Sequence, residues 1–363
     1  MHSLEMTKPD GRRLTLYSRA PITAAGPAPS PFAQPLQANP HLRWHPLRAE
    51  WVIYSPARQD RTFLPPPEFN PLAVTRDPAW PTELPQGDYD IAVFDNRFPA
   101  LSLAAHDPPP CVVPSAPAQG QCEVVVFTQD PASALCQLPL SHIELLLAVW
   151  AERTRRLAEG GQIRYVLPFE NRGAEVGVTL HHPHGQLYGY PFVPPVPARM
   201  LETERQFYAE RGGNLLHELA LRERAEGTRV LYAGPHALAF VPAWARYPYE
   251  VWITPLSPVP SLDALRADQR ADLARALKTV LLKYERLWQR PFPYLMVWYQ
   301  APCDGAPHPE SQLHAEFYPP YRSRERLKYL AGTELGAGAF AMDTLPETTA
   351  AELQAVDVTL ELA

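Results

Sequence analysis

Cysteine is scarce in this chain, with four in 363 residues: Cys111, Cys122, Cys136 and Cys303. None forms a C-x-x-C pair, which excludes a disulfide framework and argues against a thiolate zinc site. Free thiols in a reducing cytoplasm are the reading that remains. Long apolar runs are missing as well. The longest, Leu145 to Ala151, is far short of a membrane span, and the opening "MHSLEMTKPDGRRLTLYSRA" lacks the apolar core of a signal peptide. Positive charge is not in excess, since Lys and Arg total 33 against 39 acidic residues, for a net charge of −6. That excludes a general nucleic-acid binder, which shows a basic face. It leaves room for a small anion held by local arginines. The expectation is a cytoplasmic protein with no nucleic-acid and no membrane partner.

Proline is the residue present in quantity, at 44, and it gathers where secondary structure would be interrupted. The hydrophobic share of 46% and the charged share of 20% describe a globular chain of one large domain or two ordinary ones. Residues 1–40, with "APITAAGPAPSPFAQPLQANP" at their end, read as a proline-rich arm. "FLPPPEFNPLAVTRDPAWPTELPQG" (63–87) reads as a surface loop. Strands are predicted in "EWVIYSPARQDR", "YDIAVFDNRFPAL", "CEVVVFTQD" (122–130) and "IRYVLPFENRG" (163–173). Apolar spacing predicts a helix over 137–159, ending at Gly160-Gly161, a charged helix near 198–224 and an amphipathic helix over 261–289 capped by Ser261. Between the last two lie strands near 229–241 and 249–255, and "YLMVWYQAP" and "QLHAEFYPP" follow. Each half thus runs strand pair, long helix, histidine-bearing strand. The alternation gives an α+β or mixed α/β class, with halves at 41–195 and 196–363 that rhyme as an internal duplication would.

The stretch "TLHHPHGQLYGYPF" (179–192) concentrates unusual chemistry. In an extended strand His182, His184 and Gln186 share one face. Two histidines at this spacing suit a partial metal site, a satisfied core cluster, or a nucleophile with its supports. The nucleophile reading uses more of the residue types. A neutral imidazole attacks phosphorus, provided its other ring N–H is fixed by an acceptor, and the His182-Pro183 backbone offers one. Gly185 allows a close backbone approach to phosphate. Gln186 supplies an amide donor that stabilises phosphate charge without acting as acid or base.

With its flanks, "ENRGAEVGVTLHHPHGQ" resembles the active-site signature of the galactose-1-phosphate uridylyltransferases, a branch of the histidine triad superfamily. The resemblance extends through "WHPLRAEWVIYSPARQDR", "FDNRFPAL" and "QLHAEFYPPYRSRERLKYLAGTELGAG". It implies a histidine-triad-like fold, with two related halves forming an open antiparallel or mixed half-barrel sheet flanked by helices. It also implies UMP transfer from UDP-glucose to galactose 1-phosphate, giving glucose 1-phosphate and UDP-galactose in two steps through a uridylylated His184. Gln186 would stabilise that adduct, where hydrolases of the wider superfamily carry a third histidine. Arg58 and Arg61 match positions near the nucleotide phosphates, and Asn96 and Phe98 match the uracil and ribose pocket. Asn171 and Thr179 match phosphate contacts, Gly177 a close backbone approach, and His182 a loop-orienting position beside the substrate. Lys328 and Glu334 match groups that handle the hexose phosphate and sugar hydroxyls across a homodimer.

Departures from the family pattern concern metals and the sugar. The zinc set of metal-bearing members reads Asn70, Ala73, Pro131 and His182 here. The iron-type set reads Met200, Tyr299, His314 and Glu316, with two ligands of four kept. No cofactor and no metal are therefore expected. Thr333 and Phe340 stand where tyrosine and glutamine are familiar at the hexose. The rival readings are a nucleotide-sugar phosphorylase or adenylyltransferase on the same scaffold and a non-catalytic nucleotide-binding regulator.

Overall fold

In the computed structural model, which describes residues 1–35, 37–61, 64–66 and 69–360, one sheet of 11 strands carries both halves of the chain. The elements in the first half are β1 (His2–Thr7), β2 (Arg13–Ser18), β3 (His41–His45), β4 (Glu50–Tyr54), β5 (Ile91–Asp95), β6 (Ser115–Pro117), β7 (Gln121–Val126), α1 (Leu140–Ala158), β8 (Tyr165–Arg172) and β9 (His184–Tyr190). The second half contains α2 (Pro195–Arg211), α3 (Leu215–Glu226), β10 (Val230–Ala233), β11 (Ala237–Phe240), β12 (Val251–Pro255), α4 (Ala267–Leu287), β13 (Tyr294–Tyr299) and β14 (His314–Tyr318). It ends in β15 (Tyr321–Ser323), β16 (Arg326–Leu327) and α5 (Pro346–Gln354).

The main sheet runs β1-β2-β5-β7-β9-β8-β13-β14-β12-β11-β10, and every neighbouring pair is antiparallel. Its middle is the β8–β13 pair, where Phe169 lies opposite Val297. Outward from that seam the halves repeat. Phe169 faces Gln186 on β9, and Val297 faces Glu316 on β14. His184 and His314 therefore hold equivalent places, each two residues before the paired position, which gives the internal duplication a structural basis. β3, β4 and β6 form a separate three-stranded sheet.

Helices α1 and α4 pack on each other and cover one face of the main sheet. Ile143, Leu146 and Trp150 of α1 meet Leu273, Leu277 and Leu281 of α4 over Val125, Val166, Leu187, Ala315 and Phe317, all buried. Each of these larger aliphatic or aromatic side chains contributes ~1.5–3 kcal/mol on burial, so this layer dominates the apolar stabilisation. Alternation along β9 then decides what faces away. Gly185 and Leu187 point to the helices, while His184, Gln186 and Tyr188 take the opposite face. Among the described residues no helix is long and apolar enough to cross a membrane.

Four expectations change. Residues 2–18 are not part of an arm: β1 and β2 form a hairpin that extends the main sheet, with Leu14 and Leu16 in one buried cluster and Tyr17 in the other. The alternation "RLTLYS" carries that signal, and the neighbouring prolines obscure it. Segment 63–87 is not wholly a surface loop, because Leu72, Glu83 and Leu84 are buried and Val74 bridges Leu84; positions 63, 67 and 68 fall outside the described residues. The charged helix near 198–224 is two helices. Gly212, at φ +70, ends α2, and the side chain of Asn214 starts α3 by accepting from the His217 amide at 3.0 Å. Similarly, Ser261 does not cap α4. Its hydroxyl donates to Asp263, and α4 begins where the Gln269 side chain accepts from the Arg266 amide.

Candidate active site

Burial and a backbone clamp together make His184 a nucleophile-like group. Its Nδ1–H donates to the carbonyl of His182 at 2.7 Å, which leaves Nε2 as the nitrogen with a lone pair. Burial lowers its pKa below the usual 6.5 and outweighs the opposing pull of that hydrogen bond, so the ring is neutral at pH 7. Gly185 serves the clamp's position differently from expectation. A Cβ there would sit 2.8 Å from the Phe127 ring and 2.8 Å from the Phe169 carbonyl, so glycine is required by packing on the helix side of β9, away from the His184 face.

His184 and Gln186 open onto a cavity of about 240 Å³. Arg58 and Arg61 line it, as do Asn96, Phe98, Asn171, Gly177 and Thr179. Arg58 is fixed by donating to the Phe98 carbonyl at 3.0 Å and the Tyr188 hydroxyl at 3.1 Å. The carboxamide oxygen of Asn96 accepts from the Phe98 amide at 2.9 Å, which leaves the NH₂ as the donor it offers. Gly177 has φ +77 and nothing within 4 Å of a Cβ, so the left-handed turn accounts for glycine there.

Two groups of expected residues lie elsewhere. His182 stands outside this cavity, on a wider recess of about 590 Å³ that it shares with His184 and Asn171. Its Nε2–H donates to the Thr128 carbonyl at 2.7 Å, and its Nδ1 accepts from Asn70 Nδ2 at 3.0 Å. Both ring nitrogens are used, one of them by the Asn70 amide, so this set does not fit zinc. Lys328 and Glu334 lie on the C-terminal segment, 3.7 Å from each other, and neither lines the cavity within one chain.

The counterpart in the second half is sealed. His314 Nδ1–H donates to the Gln312 carbonyl at 2.9 Å, repeating the clamp of His184, but its Nε2–H donates to Glu316 at 3.1 Å. Trp252 and Tyr299 stack on its two sides with ring centroids 5.0 and 5.3 Å away. Glu316 also accepts from Tyr318 and lies 3.4 Å from the Arg246 guanidinium. With both nitrogens of His314 engaged and an arginine beside Glu316, this set does not fit iron either. Burial alone would lower the pKa of His314, but the Glu316 carboxylate outweighs it and raises the value.

Several cavity residues were missed in the sequence. Tyr188 could have been found, because it continues the alternation of His184 and Gln186. Phe32, Glu83, Phe94 and Arg97 also line the cavity. They come from segments whose local pattern says nothing about one another.

Comparison with known proteins identifies the family. Residues 32–194 match the N-terminal domain model of galactose-1-phosphate uridyl transferase, and residues 200–362 match its C-terminal domain model. A galactose-1-phosphate uridylyltransferase of Thermotoga maritima is 38% identical over 324 residues, covering 87% of this chain and 98% of its own length. The Streptomyces lividans protein of the same name is 34% identical, with 86% of each chain covered. A solved uridylyltransferase structure superposes with a TM-score of 0.79 at 34% identity, covering 87% of this chain and 97% of that one. An ADP-glucose phosphorylase from Arabidopsis thaliana shares the fold at 23% identity and a TM-score of 0.65, with 88% of this chain and 100% of that chain covered. With both domain models matched and such relatives spanning nearly the whole chain, this protein belongs to the galactose-1-phosphate uridylyltransferase family.

Proposed function

We propose that this chain transfers UMP from UDP-glucose to galactose 1-phosphate by two displacements at His184 Nε2. The observation that carries the reading is a neutral imidazole, clamped at one nitrogen, that lines a cavity with two arginines and an amide. In the first step the Nε2 lone pair forms a bond to the α-phosphorus, and the bond from phosphorus to the bridging oxygen breaks. The electron pair leaves on glucose 1-phosphate. The ring becomes a cation whose Nδ1–H is held by the His182 carbonyl. In the second step a phosphate oxygen of galactose 1-phosphate attacks the same phosphorus, and the P–N bond returns its pair to Nε2. No proton need leave the site.

Arg58 and Arg61 suit the charge on the phosphoryl oxygens, since guanidinium forks match phosphate geometry. Gln186 offers an amide N–H to the same oxygens but cannot deprotonate water, which favours an adduct that waits for the sugar phosphate. Lys328 and Glu334 would reach the hexose end from a second copy, so a homodimer belongs to the proposal. So do a cytoplasmic setting and independence from any metal or cofactor, given donor sets that fit neither zinc nor iron.

The test is isotope exchange. Labelled glucose 1-phosphate should enter UDP-glucose with no galactose 1-phosphate present, and His184→Ala should reduce that exchange by at least about 10⁴-fold, or ~5.5 kcal/mol. Exchange that needs galactose 1-phosphate, or that survives in the variant, contradicts the double displacement.

A further inference from the structure

We propose that Glu83, gripped by Lys8 and Arg12 of the N-terminal hairpin, is a specificity-determining residue that accepts a hydrogen bond from the nucleoside of the bound UMP. This rests on the cavity being the UMP site, and it involves a feature outside the family model, which begins at residue 32.

Sheet register locates the nucleoside end. Gln186 on β9 lies opposite Val124 on β7, and Val124 lies opposite Phe94 on β5. Two strand spacings of ~4.8 Å place Phe94 ~10 Å from the strand of His184, about the reach of a nucleoside from its α-phosphate. The next strand out is β2, where Leu14 faces Phe94, so the hairpin lies behind this end of the cavity. Phe94, Phe98 and Asn96 supply two rings and an amide there, and Glu83 lines the same cavity although it is only 5% exposed.

The carboxylate is held from behind. Lys8 Nζ donates to Oε2 at 2.6 Å, and Arg12 donates to Oε1 at 3.0 Å and to Oε2 at 2.8 Å. Both cations are fixed in turn. Lys8 donates to the Glu83 and Pro29 carbonyls, and Arg12 donates to Asp10 at 2.7 Å and the Asp95 carbonyl at 3.1 Å. A carboxylate has about four lone-pair positions, and these contacts use three, which leaves one on Oε1 for a partner in the cavity. Because a carboxylate only accepts, that partner is a donor. On the nucleoside of UMP the donors are the ribose hydroxyls and the uracil imide N–H.

The hairpin's turn explains why it can do this. Lys8 and Arg12 flank the tight turn at Gly11, φ +81, and the Lys8 amide donates to the Arg12 carbonyl at 2.8 Å. Both long side chains thus start from adjacent points and converge on one carboxylate. Burying ions is costly before their mutual attraction is counted, so a cluster this complete is an expensive way merely to close a sheet edge.

The experiment compares wild type with Glu83→Gln, using UDP-glucose and its 2′-deoxy, 3′-deoxy and N3-methyl analogues. In the variant the amide oxygen is drawn to the cations and the NH₂ turns toward the cavity, putting a donor where an acceptor was. The expected result is a KM for UDP-glucose raised about tenfold with the KM for galactose 1-phosphate unchanged. Wild type should also discriminate against at least one analogue, and the variant should lose that discrimination, which identifies the donor. An unchanged KM for UDP-glucose in a folded variant overturns the proposal. So does a wild-type enzyme that treats all four substrates alike, which needs no variant to fold. Failure here with His184-dependent exchange intact removes only the role of Glu83, whereas exchange that survives His184→Ala removes the cavity reading itself.

Discussion

His184 and His314 sit at matching positions on β9 and β14, each with Nδ1–H held by the carbonyl two residues earlier. One is neutral and opens on a cavity, and the other, whose pKa the Glu316 carboxylate raises against burial, is enclosed between two aromatic rings. The strand therefore provides the place, and the neighbours provide the chemistry. Two differences matter. Gln186, an amide, stands where the second half has the Glu316 carboxylate, and Gly185 stands where it has Ala315. A carboxylate beside an imidazole stabilises the protonated ring and takes its second nitrogen, which is the opposite of what a nucleophile needs. The second half then covers its histidine: Met200 and Glu204 of α2 lie beside His314 around a remnant cavity of only about 10 Å³.

Making the first site like the second should have the largest effect. Gln186→Glu places an anion beside His184 and against the phosphoryl oxygens, so kcat should fall about 10²–10³-fold, the size expected for losing one charge-stabilising donor. The acid limb of kcat/KM should also move. It lies below 6.5 in wild type, because burial lowers the pKa of His184, and it should rise above 6.5 in the variant. A pH–rate profile that does not shift would break the contrast.

Gly185→Ala imports the other difference. Its Cβ would meet Phe127 and the Phe169 carbonyl at 2.8 Å, and overpacking of this kind costs ~1–3 kcal/mol. Thermal or urea unfolding should show that loss, and an unchanged midpoint would mean that β9 has room the structure does not show.

The smallest effect is expected on the sealed side, from Glu316→Gln. Because the folded-state pKa of His314 is raised, the Glu316 pairing contributes stability fully below the unfolded value near 6.5 and loses it as pH rises through the folded value. Glu250 acts in the same direction: burial and the charge of Glu316 push it up to about 7, so its contribution also falls as pH climbs from the ordinary glutamate value through about 7. The difference in unfolding midpoint between wild type and variant should therefore be larger near pH 6 than near pH 9. A constant difference would mean that His314 does not carry the charge assigned to it.

What was legible in the sequence follows the same division. His184, Gln186 and their shared face could be read because strand alternation and imidazole chemistry are local properties. Helix α1 could be read because its apolar spacing is regular and Gly160-Gly161 ends it. The break between α2 and α3 escaped notice because Gly212 and Asn214 sit inside a long charged pattern. The role of the hairpin could not be read at all. Arg12 and Glu83 are 71 residues apart, and nothing near either one announces the other. The sealed state of His314 was likewise set by tertiary contacts, from Arg246 and the stacked rings of Trp252 and Tyr299.

The most direct measurement is intact mass, with peptide mapping, of protein incubated with UDP-glucose alone and kept out of acid. The account predicts the added mass of one uridylyl group, located on His184, absent from His314, and removed by galactose 1-phosphate. Sugar exchange that proceeds while no nucleotide is ever found on His184 would contradict it.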